Sequence, residues 1–208
     1  MRVLVTGASR GVGAALVAEG AARGHDVIGT TRSGAGLALE VTDPASQAEA
    51  ARATGPLDLL VCNAGVYLDR SVGLDDLTSE QLRATFDSNV TGVILTVQAQ
   101  LANLSAGGRI ALISSQMGSS ERTGSSGFAY RASKAAVSNF GANLAAALRG
   151  RGIAVGIYHP GWVRTDMGGS AASVTAEQSA RGLWDRFESL DMDRSGRFET
   201  FDGQPHPF

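Results

Sequence analysis

The stretch Val3-Leu-Val-Thr-Gly-Ala-Ser-Arg-Gly-Val-Gly13 indicates the fold of this chain. A short apolar run, typical of a buried strand, leads into three glycines, and an alanine-rich helical segment follows. Glycine lets the backbone turn tightly and approach a phosphate, while the next helix directs its free N–H groups and positive dipole end at the anion. In this context the turn predicts a dinucleotide site, although a plain tight turn is the simpler alternative.

The rest of the chain alternates short apolar runs with longer helical segments, which predicts a parallel α/β sheet covered on both faces. No repeat, linker or charge block interrupts the pattern, so we expect one domain over residues 1–208. Strands are predicted at 3–5, 26–30, 37–41, 57–62, 109–113, 154–159 and 197–200. Helices are predicted at 11–23, 45–54, 78–104, 126–149 and 175–189, with allowance for a break in the third.

Composition narrows the class of protein. The chain has 208 residues, 43% of them apolar, and a net charge of −2, so nucleic acid is not an expected partner. No apolar run approaches the roughly 20 residues of a membrane span. The single cysteine, Cys62, reads as a packing residue and fits a reducing compartment. Since the N-terminus leads directly into the first predicted strand, leaving no room for a signal peptide, we expect a cytoplasmic protein.

Tyr130 and Lys134 are spaced to share one face of a predicted helix. A phenol has an ordinary pKa of about 10, and a neighbouring ammonium favours its ionised form. Such a tyrosine can exchange a proton near neutral pH, as interconversion of an alcohol and a carbonyl requires once a nucleotide cofactor carries the hydride.

Cofactor choice is expected at the end of the second strand, where a carboxylate favours NAD and an arginine accommodates the 2′-phosphate of NADP. Here Arg32 follows two threonines, and Arg10 in the glycine turn is a second cation. We therefore expect a preference for NADP(H). The alternative is two solvated surface arginines.

Six motifs occur together in the order and approximate spacing of the short-chain dehydrogenase/reductase family, which the chain resembles over nearly its whole length. Finer details are most similar to the small C-factor-like carbonyl reductases. The motifs are Thr6-Gly-x-x-x-Gly-x-Gly13, Asn63-Ala-Gly65, Asn89, Ser114-Ser115, Tyr130-x-x-x-Lys134, and Pro160-Gly161 followed by Thr165.

The resemblance implies a Rossmann-type doubly wound sheet and a catalytic set of Asn89, Ser115, Tyr130 and Lys134. Tyr130 would be the general acid or base, Lys134 would lower its pKa, Ser115 would hold the substrate oxygen, and Asn89 would anchor a water beside Lys134. Ser114 stays open as an alternative to Ser115. Homodimerisation is one assembly that the resemblance implies.

A second implied set would bind the cofactor along the carboxyl ends of the strands, with no metal. Its members are Gly7, Ser9, Arg10, Gly11, Val12, Gly13, Arg32, Glu40, Val41, Asn63, Ala64, Gly65, Tyr130, Lys134, Pro160, Gly161, Val163 and Thr165. An acidic run beginning at Asp191 resembles a calcium loop, but no helix is expected after it, so we interpret the match as accidental.

Three departures from the family pattern are visible. Ser115 lies fifteen residues before Tyr130 instead of thirteen, and Glu40 stands where aspartate is more usual. The segment after Thr165 is short, so an open substrate pocket is expected. The favoured function is an NADP(H)-dependent oxidoreductase that interconverts a small-molecule carbonyl and alcohol. A catalytically silent nucleotide-binding regulator is the alternative.

Overall fold

A computed structural model describes residues 1–208, and it contains a seven-stranded sheet. The strands are β1 (Arg2–Val5), β2 (Asp26–Thr31), β3 (Leu37–Ala38), β4 (Leu57–Cys62), β5 (Leu104–Ile113), β6 (Ala154–His159) and β7 (Phe198–Thr200). They pair in parallel in the order β3-β2-β1-β4-β5-β6-β7. The predicted doubly wound parallel sheet is confirmed.

Six α-helices cover the two faces of the sheet. They are α1 (Gly11–Ala22), α2 (Pro44–Thr54), α3 (Ser79–Phe86), α4 (Gly92–Gln100), α5 (Phe128–Leu148) and α6 (Ala176–Ser189). Capping boxes begin α3 at Thr78 and α6 at Thr175, because each threonine and the glutamine three residues on exchange hydrogen bonds. None of these helices is both long and apolar enough to span a membrane.

Each central strand contributes to two separate cores, because successive strand residues point to opposite faces. Leu4 packs with Leu60 in one core, while Val3 and Val5 pack with Val61 in the other. The second core holds the apolar face of α6 against α1. Unbroken apolar runs in β1 and β4 therefore reflect burial on both sides.

Trp184 joins α6 to the second core. Its side chain is fully buried, and its indole N–H donates to the Leu16 carbonyl of α1 at 2.9 Å. The ring also stacks on His25, with 4.7 Å between centroids. One side chain thus connects the last helix to the helix that follows the glycine turn.

Two strands differ from their predicted limits by more than one residue. β3 ends at Ala38, not at residue 41, because residues 39–41 leave the sheet and line a cleft. β5 begins at Leu104, not at Arg109, because Leu104 pairs with Leu57 and a shift of register carries the chain to the next pair, Leu59 with Arg109. The intervening Gly107 and Gly108 conceal this continuity in the sequence.

The predicted helix over 78–104 is divided, as the allowance for a break anticipated. A π-helical turn, Asp87–Thr91, separates α3 from α4, and a 3₁₀ turn follows at Leu101–Asn103. A π-helical turn accommodates one extra residue and is frequent at functional sites. It contains Asn89, which is therefore displaced from the position it would have on a regular helix.

We expect Trp184→Ala to lower the free energy of unfolding by about 3–5 kcal/mol, because it empties a buried aromatic site and removes the bond to Leu16. Urea denaturation followed by circular dichroism measures the change. Trp162 is the matched control because it is half exposed, and its replacement by alanine is expected to cost less than about 1 kcal/mol. Equal losses would contradict the role assigned to Trp184.

Candidate active site

A cleft of about 710 Å³ lies at the carboxyl ends of the strands. The strand order reverses direction between β1 and β4, and the loops that follow these two strands separate there. In open α/β sheets, ligands bind at this switch point. Most residues predicted to bind a cofactor line the cleft: Gly7, Ser9, Arg10, Gly11, Val12, Gly13, Arg32, Glu40, Val41, Asn63, Ala64, Gly65, Tyr130, Lys134, Pro160 and Thr165.

The glycine turn packs directly against the end of β4. Gly7 has a φ of +68°, and a Cβ added there would lie 2.8 Å from the Ala64 Cα. A Cβ on Gly13 would overlap the Gly7 carbonyl oxygen and lie 2.6 Å from the Asn63 side-chain nitrogen. Only glycine fits at both positions, so the turn can lie close to a bound group.

Asn63 holds this turn in place. Its side-chain amide donates to the carbonyl oxygens of Thr6 and Gly7 at 3.0 and 3.1 Å. The Thr6 hydroxyl in turn accepts the backbone N–H groups of Asn63 and Ala64. The hydrogen bonds run in both directions and align the ends of β1 and β4.

The first turn of α1 faces the cleft. Its N-cap residue, Arg10, has an extended backbone and no side-chain hydrogen bond to the helix. The free N–H groups and the positive dipole end of the helix therefore point towards the cleft, as an anion site requires. Arg10 itself forms an ion pair with Asp166 on the opposite wall at 2.9 Å.

Arg32 and Arg10 differ in whether their guanidinium groups already have a carboxylate partner. Both line the cleft, but Arg32 is exposed and forms no ion pair, whereas the guanidinium of Arg10 already has Asp166 as its partner. Glu40 also lines the cleft, with its carboxylate bonded to the backbone N–H and hydroxyl of Thr42. Arg32, unlike Arg10, is therefore free to meet an added anion.

Two predicted cofactor residues lie outside the cleft wall. Gly161 has a φ of +88° and packs against Phe201 and Val174. Val163 is buried and pairs with Val174 in an isolated bridge. The chain turns inwards at these two residues and returns to the cleft at Thr165. For Gly161 and Val163, contact with a cofactor stays a prediction.

Tyr130 and Lys134 lie side by side near the start of α5, as their spacing predicted. The Lys134 Nζ is 5.7 Å from the centroid of the Tyr130 ring and donates to the Ile113 carbonyl oxygen at 2.9 Å. Both side chains are buried and both line the cleft. The end of β5 therefore positions the ammonium group that accompanies the phenol.

Burial has a larger effect on this pair than mutual attraction. It raises the pKa of Tyr130 to about 12, against a smaller lowering by a hydrogen bond with Ser115 and a further increase from Tyr67. Burial also lowers the pKa of Lys134 to about 8. We expected the neighbouring ammonium to lower the pKa of Tyr130, but within the protein chain the loss of hydration dominates.

The two serines at the end of β5 have different partners. The Ser114 hydroxyl bonds to the Lys134 carbonyl oxygen at 3.0 Å and to the Ser138 hydroxyl at 2.8 Å. The Ser115 hydroxyl accepts from the Met117 N–H at 3.1 Å, and it lies near enough to Tyr130 to lower the pKa of that phenol slightly against the larger effect of burial. Ser114 therefore fastens β5 to α5, while Ser115 accompanies the phenol.

Asn89 is fully buried behind the cleft. Its side-chain oxygen accepts the Val66 N–H at 2.7 Å, and its nitrogen donates to the Val66 carbonyl and the Ser133 hydroxyl. Ser133 in turn donates to the Tyr130 carbonyl oxygen at 2.7 Å. The Asn89 side chain thus links the loop after β4 to α5, and both hydrogens of its amide are already used.

Sequence reasoning missed Tyr67 and Asp69. The Tyr67 ring stacks on Tyr130 with 4.3 Å between centroids, and the Asp69 carboxylate accepts N–H groups at the start of α5. These residues lie about sixty positions before their partners. No local spacing could reveal such contacts, since they arise only when β4 and α5 are brought together.

A model of the family described as short chain dehydrogenase matches residues 1–175. The chain belongs to this family. It is therefore a short-chain dehydrogenase/reductase, a class of oxidoreductases, and the family resemblance stated from its motifs is confirmed.

Family members with known names include the C-signal of Myxococcus xanthus, which is 37% identical over 158 residues, covering 74% of this chain and 95% of that protein. The 3-oxoacyl-(acyl-carrier-protein) reductase FabG of Escherichia coli is 37% identical over 184 residues, covering 79% and 74%. The structure of NADPH-bound carbonyl reductase from chicken fatty liver has a TM-score of 0.90 at 30% identity, covering 99% and 98%.

We expect the burial of Lys134 to be measurable as a pH dependence of stability. Its pKa is about 8 in the folded protein, below the roughly 10.4 of an exposed lysine. Below pH 8 the buried charge costs about 3 kcal/mol. Between pH 8 and about 10.5 the folded protein loses this proton before the unfolded chain does, so the cost disappears as pH rises.

Urea denaturation of the wild type and Lys134→Met from pH 7 to 10.5 isolates this effect. The stability of the methionine variant relative to the wild type should fall by about 3 kcal/mol across that range. Buried tyrosines and Cys62 affect both proteins equally and cancel in the difference. A difference that is independent of pH would contradict the lowered pKa.

Proposed function

We propose that this protein is an NADP(H)-dependent oxidoreductase that interconverts a small-molecule carbonyl and its alcohol, with Tyr130 as general acid and base. The observation that carries the proposal is the joint position of Tyr130, Lys134 and Ser115 at the end of β5. Tyr130 and Lys134 open into the cleft at the switch point, and Ser115 lies near enough to the Tyr130 phenol to influence its pKa.

The residues of the cleft fit a dinucleotide. The glycine turn forms a cradle that a Cβ at Gly7 or Gly13 would fill, and the first turn of α1 offers N–H groups to a pyrophosphate. Lys134 and Thr165 lie along the same cleft and would hold the nicotinamide end. The nucleotide, when bound, supplies or accepts the hydride.

The protein residues would manage the proton and the substrate oxygen. Because its pKa is raised to about 12, Tyr130 is protonated at neutral pH and suited to donate to the oxygen of a carbonyl as that oxygen becomes an alkoxide. Ser115 donates a second hydrogen bond to the same oxygen. Lys134, with its Nζ held by Ile113, stabilises the negative charge left on Tyr130.

The proposed preference for NADP(H) is supported by Arg32, an exposed cleft arginine that directly follows β2 and forms no ion pair. It is also supported by relatives of known structure. Besides the chicken enzyme, a putative short-chain dehydrogenase/reductase from Burkholderia multivorans, with a TM-score of 0.91 and 28% identity over 99% of this chain and 98% of its own, was solved with bound NADP.

Tyr130→Phe should abolish carbonyl reduction without abolishing cofactor binding, because only the proton donor is removed. We expect kcat with NADPH and a panel of aldehydes, ketones and quinones to fall at least about a thousandfold, within the range of acid–base contributions. The Kd for NADPH, measured by fluorescence, should change less than about threefold. A variant that retained a tenth of the wild-type kcat would remove Tyr130 from the mechanism.

Arg32→Ala should lower kcat/KM for NADPH about tenfold, because a hydrogen bond between charged groups contributes about 1.5–3 kcal/mol. The value for NADH should be unchanged, since NADH lacks the 2′-phosphate. Arg149→Ala is the control, because this arginine is exposed beyond the end of α5. A wild-type protein that prefers NADH tenfold would refute the proposed cofactor.

A second candidate function, a nucleotide-binding regulator without turnover, is favoured by the relative named C-signal. The assay with aldehydes, ketones and quinones distinguishes the oxidoreductase from the regulator. If the wild type binds NADPH but reduces no compound, and Tyr130→Phe leaves its cellular function intact, the regulator is the better proposal.

We propose a single domain over residues 1–208, a cytoplasmic location and, as one assembly, a homodimer formed through α3–α4 and α5. Burial of Cys62, which raises the pKa of its thiol to about 12, supports its interpretation as a packing residue. Static light scattering of the purified protein measures the assembly directly.

A further inference from the structure

The loop after β4 is fastened to the helix that carries the proposed catalytic residues. Near its start, both backbone polar groups of Val66 bond to the Asn89 side chain. Further along, the Val72 carbonyl accepts the Gly127 N–H at 3.4 Å, directly before α5 begins. Between these two attachments lie Tyr67 and Asp69, and both contact the start of α5.

Asp69 supplies the N-terminal cap of α5. Its carboxylate accepts the backbone N–H of Ala129 at 2.6 Å and that of Tyr130 at 3.3 Å, and the side chain is fully buried. The N-cap residue itself is Gly127, which has no side chain and a left-handed backbone with a φ of +69°. Glycine has no side chain that could accept the free N–H groups of the first turn. The Asp69 carboxylate, about sixty positions earlier, accepts them instead.

Tyr67 explains why Gly127 occupies the cap position. A Cβ at Gly127 would lie 2.5 Å from the Tyr67 hydroxyl oxygen. The space that a capping side chain would need is filled by the ring that stacks on Tyr130, with 20° between the two planes. Because Tyr67 stacks on Tyr130, it leaves no room for a capping side chain at position 127, and the cap has to come from Asp69.

Tyr130 is the third residue of α5, within the turn that Asp69 caps, whereas Lys134 lies one turn further. The backbone of Lys134 has its own attachment, because its carbonyl oxygen accepts the Ser114 hydroxyl. Helix ends fray most readily in the first turn, where N–H groups lack partners within the helix. Loss of the cap would therefore displace Tyr130 from Ser115 and leave Lys134 in place.

We propose that Asp69 is a positioning residue for Tyr130, one that holds the first turn of α5 so that the phenol meets Ser115 and the substrate oxygen. The proposal rests on the proposed oxidoreductase function. It assigns to the loop after β4 a part in the chemical step in addition to any contact with substrate.

The test compares Asp69→Ala, Asp69→Asn and wild type in NADPH-dependent reduction of one carbonyl compound that the wild type reduces. For Asp69→Ala we expect kcat to fall at least tenfold, while the Kd for NADPH changes less than threefold. Asp69→Asn should recover kcat to within fivefold of wild type, because its one side-chain oxygen can still accept the shorter bond, from Ala129, although its NH2 group cannot accept the N–H of Tyr130. If Asp69→Ala does not fold, Asp69→Ser gives the same comparison, because its shorter hydroxyl falls short of the N–H groups.

Asp43→Ala is the matched control. Asp43 caps α2 through two backbone N–H groups, at 3.0 and 3.2 Å, and that helix begins away from Tyr130. Loss of the Asp43 carboxylate should lower the free energy of unfolding and leave kcat within twofold of the wild-type value. The proposal is overturned if Asp69→Ala or Asp69→Ser retains wild-type kcat, if Asp69→Asn is as impaired as they are, or if Asp43→Ala lowers kcat equally. A wild type that reduces nothing refutes the oxidoreductase function instead.

Discussion

The close approach of the glycine turn to the end of β4 is the constraint on which the rest of the site depends. Asn63 donates to two carbonyl oxygens of the turn, and glycines at 7 and 13 leave the space for it. This contact holds the switch point of the sheet in one geometry. The free N–H groups of α1 then point into the cleft, and the loop after β4 starts in the direction that takes it to α5.

Burial is the main cause of the pKa shifts of Tyr130 and Lys134, the two proposed reacting groups. Tyr130 and Lys134 share a helix face, yet the loss of hydration moves their pKa values in opposite directions, to about 12 and about 8. The Tyr130 phenol therefore stays protonated as a proton donor. The Lys134 ammonium loses its proton at a lower pH than an exposed lysine does. A hydrogen bond to the Ile113 carbonyl holds Lys134 in place, and the Tyr67 ring stacks on Tyr130. The protein chain favours the acid form of Tyr130, which suits the reductive direction of the proposed reaction.

Much of this arrangement was predictable from local patterns. Runs of apolar residues located six strands within a few residues, and the Tyr130–Lys134 spacing placed both side chains together on α5. The structure differs from what local patterns suggest where distant segments decide it. β5 begins at Leu104 because β4 pairs with it there, and Gly161 and Val163 turn away from the cleft to pack against Phe201 and Val174. Neither contact has a signal in nearby sequence.

The sequence by itself determined the fold class, the glycine turn and the candidate acid–base pair, because these depend on periodicity and on spacings of a few residues. Tertiary structure alone decided which serine lies beside Tyr130, that Arg10 but not Arg32 has a carboxylate partner, and how α5 is capped. Asp69 reaches Ala129 and Tyr130 across about sixty residues. Such contacts follow from the path of the whole chain, since strand order brings together residues whose separation in the sequence has no regular period.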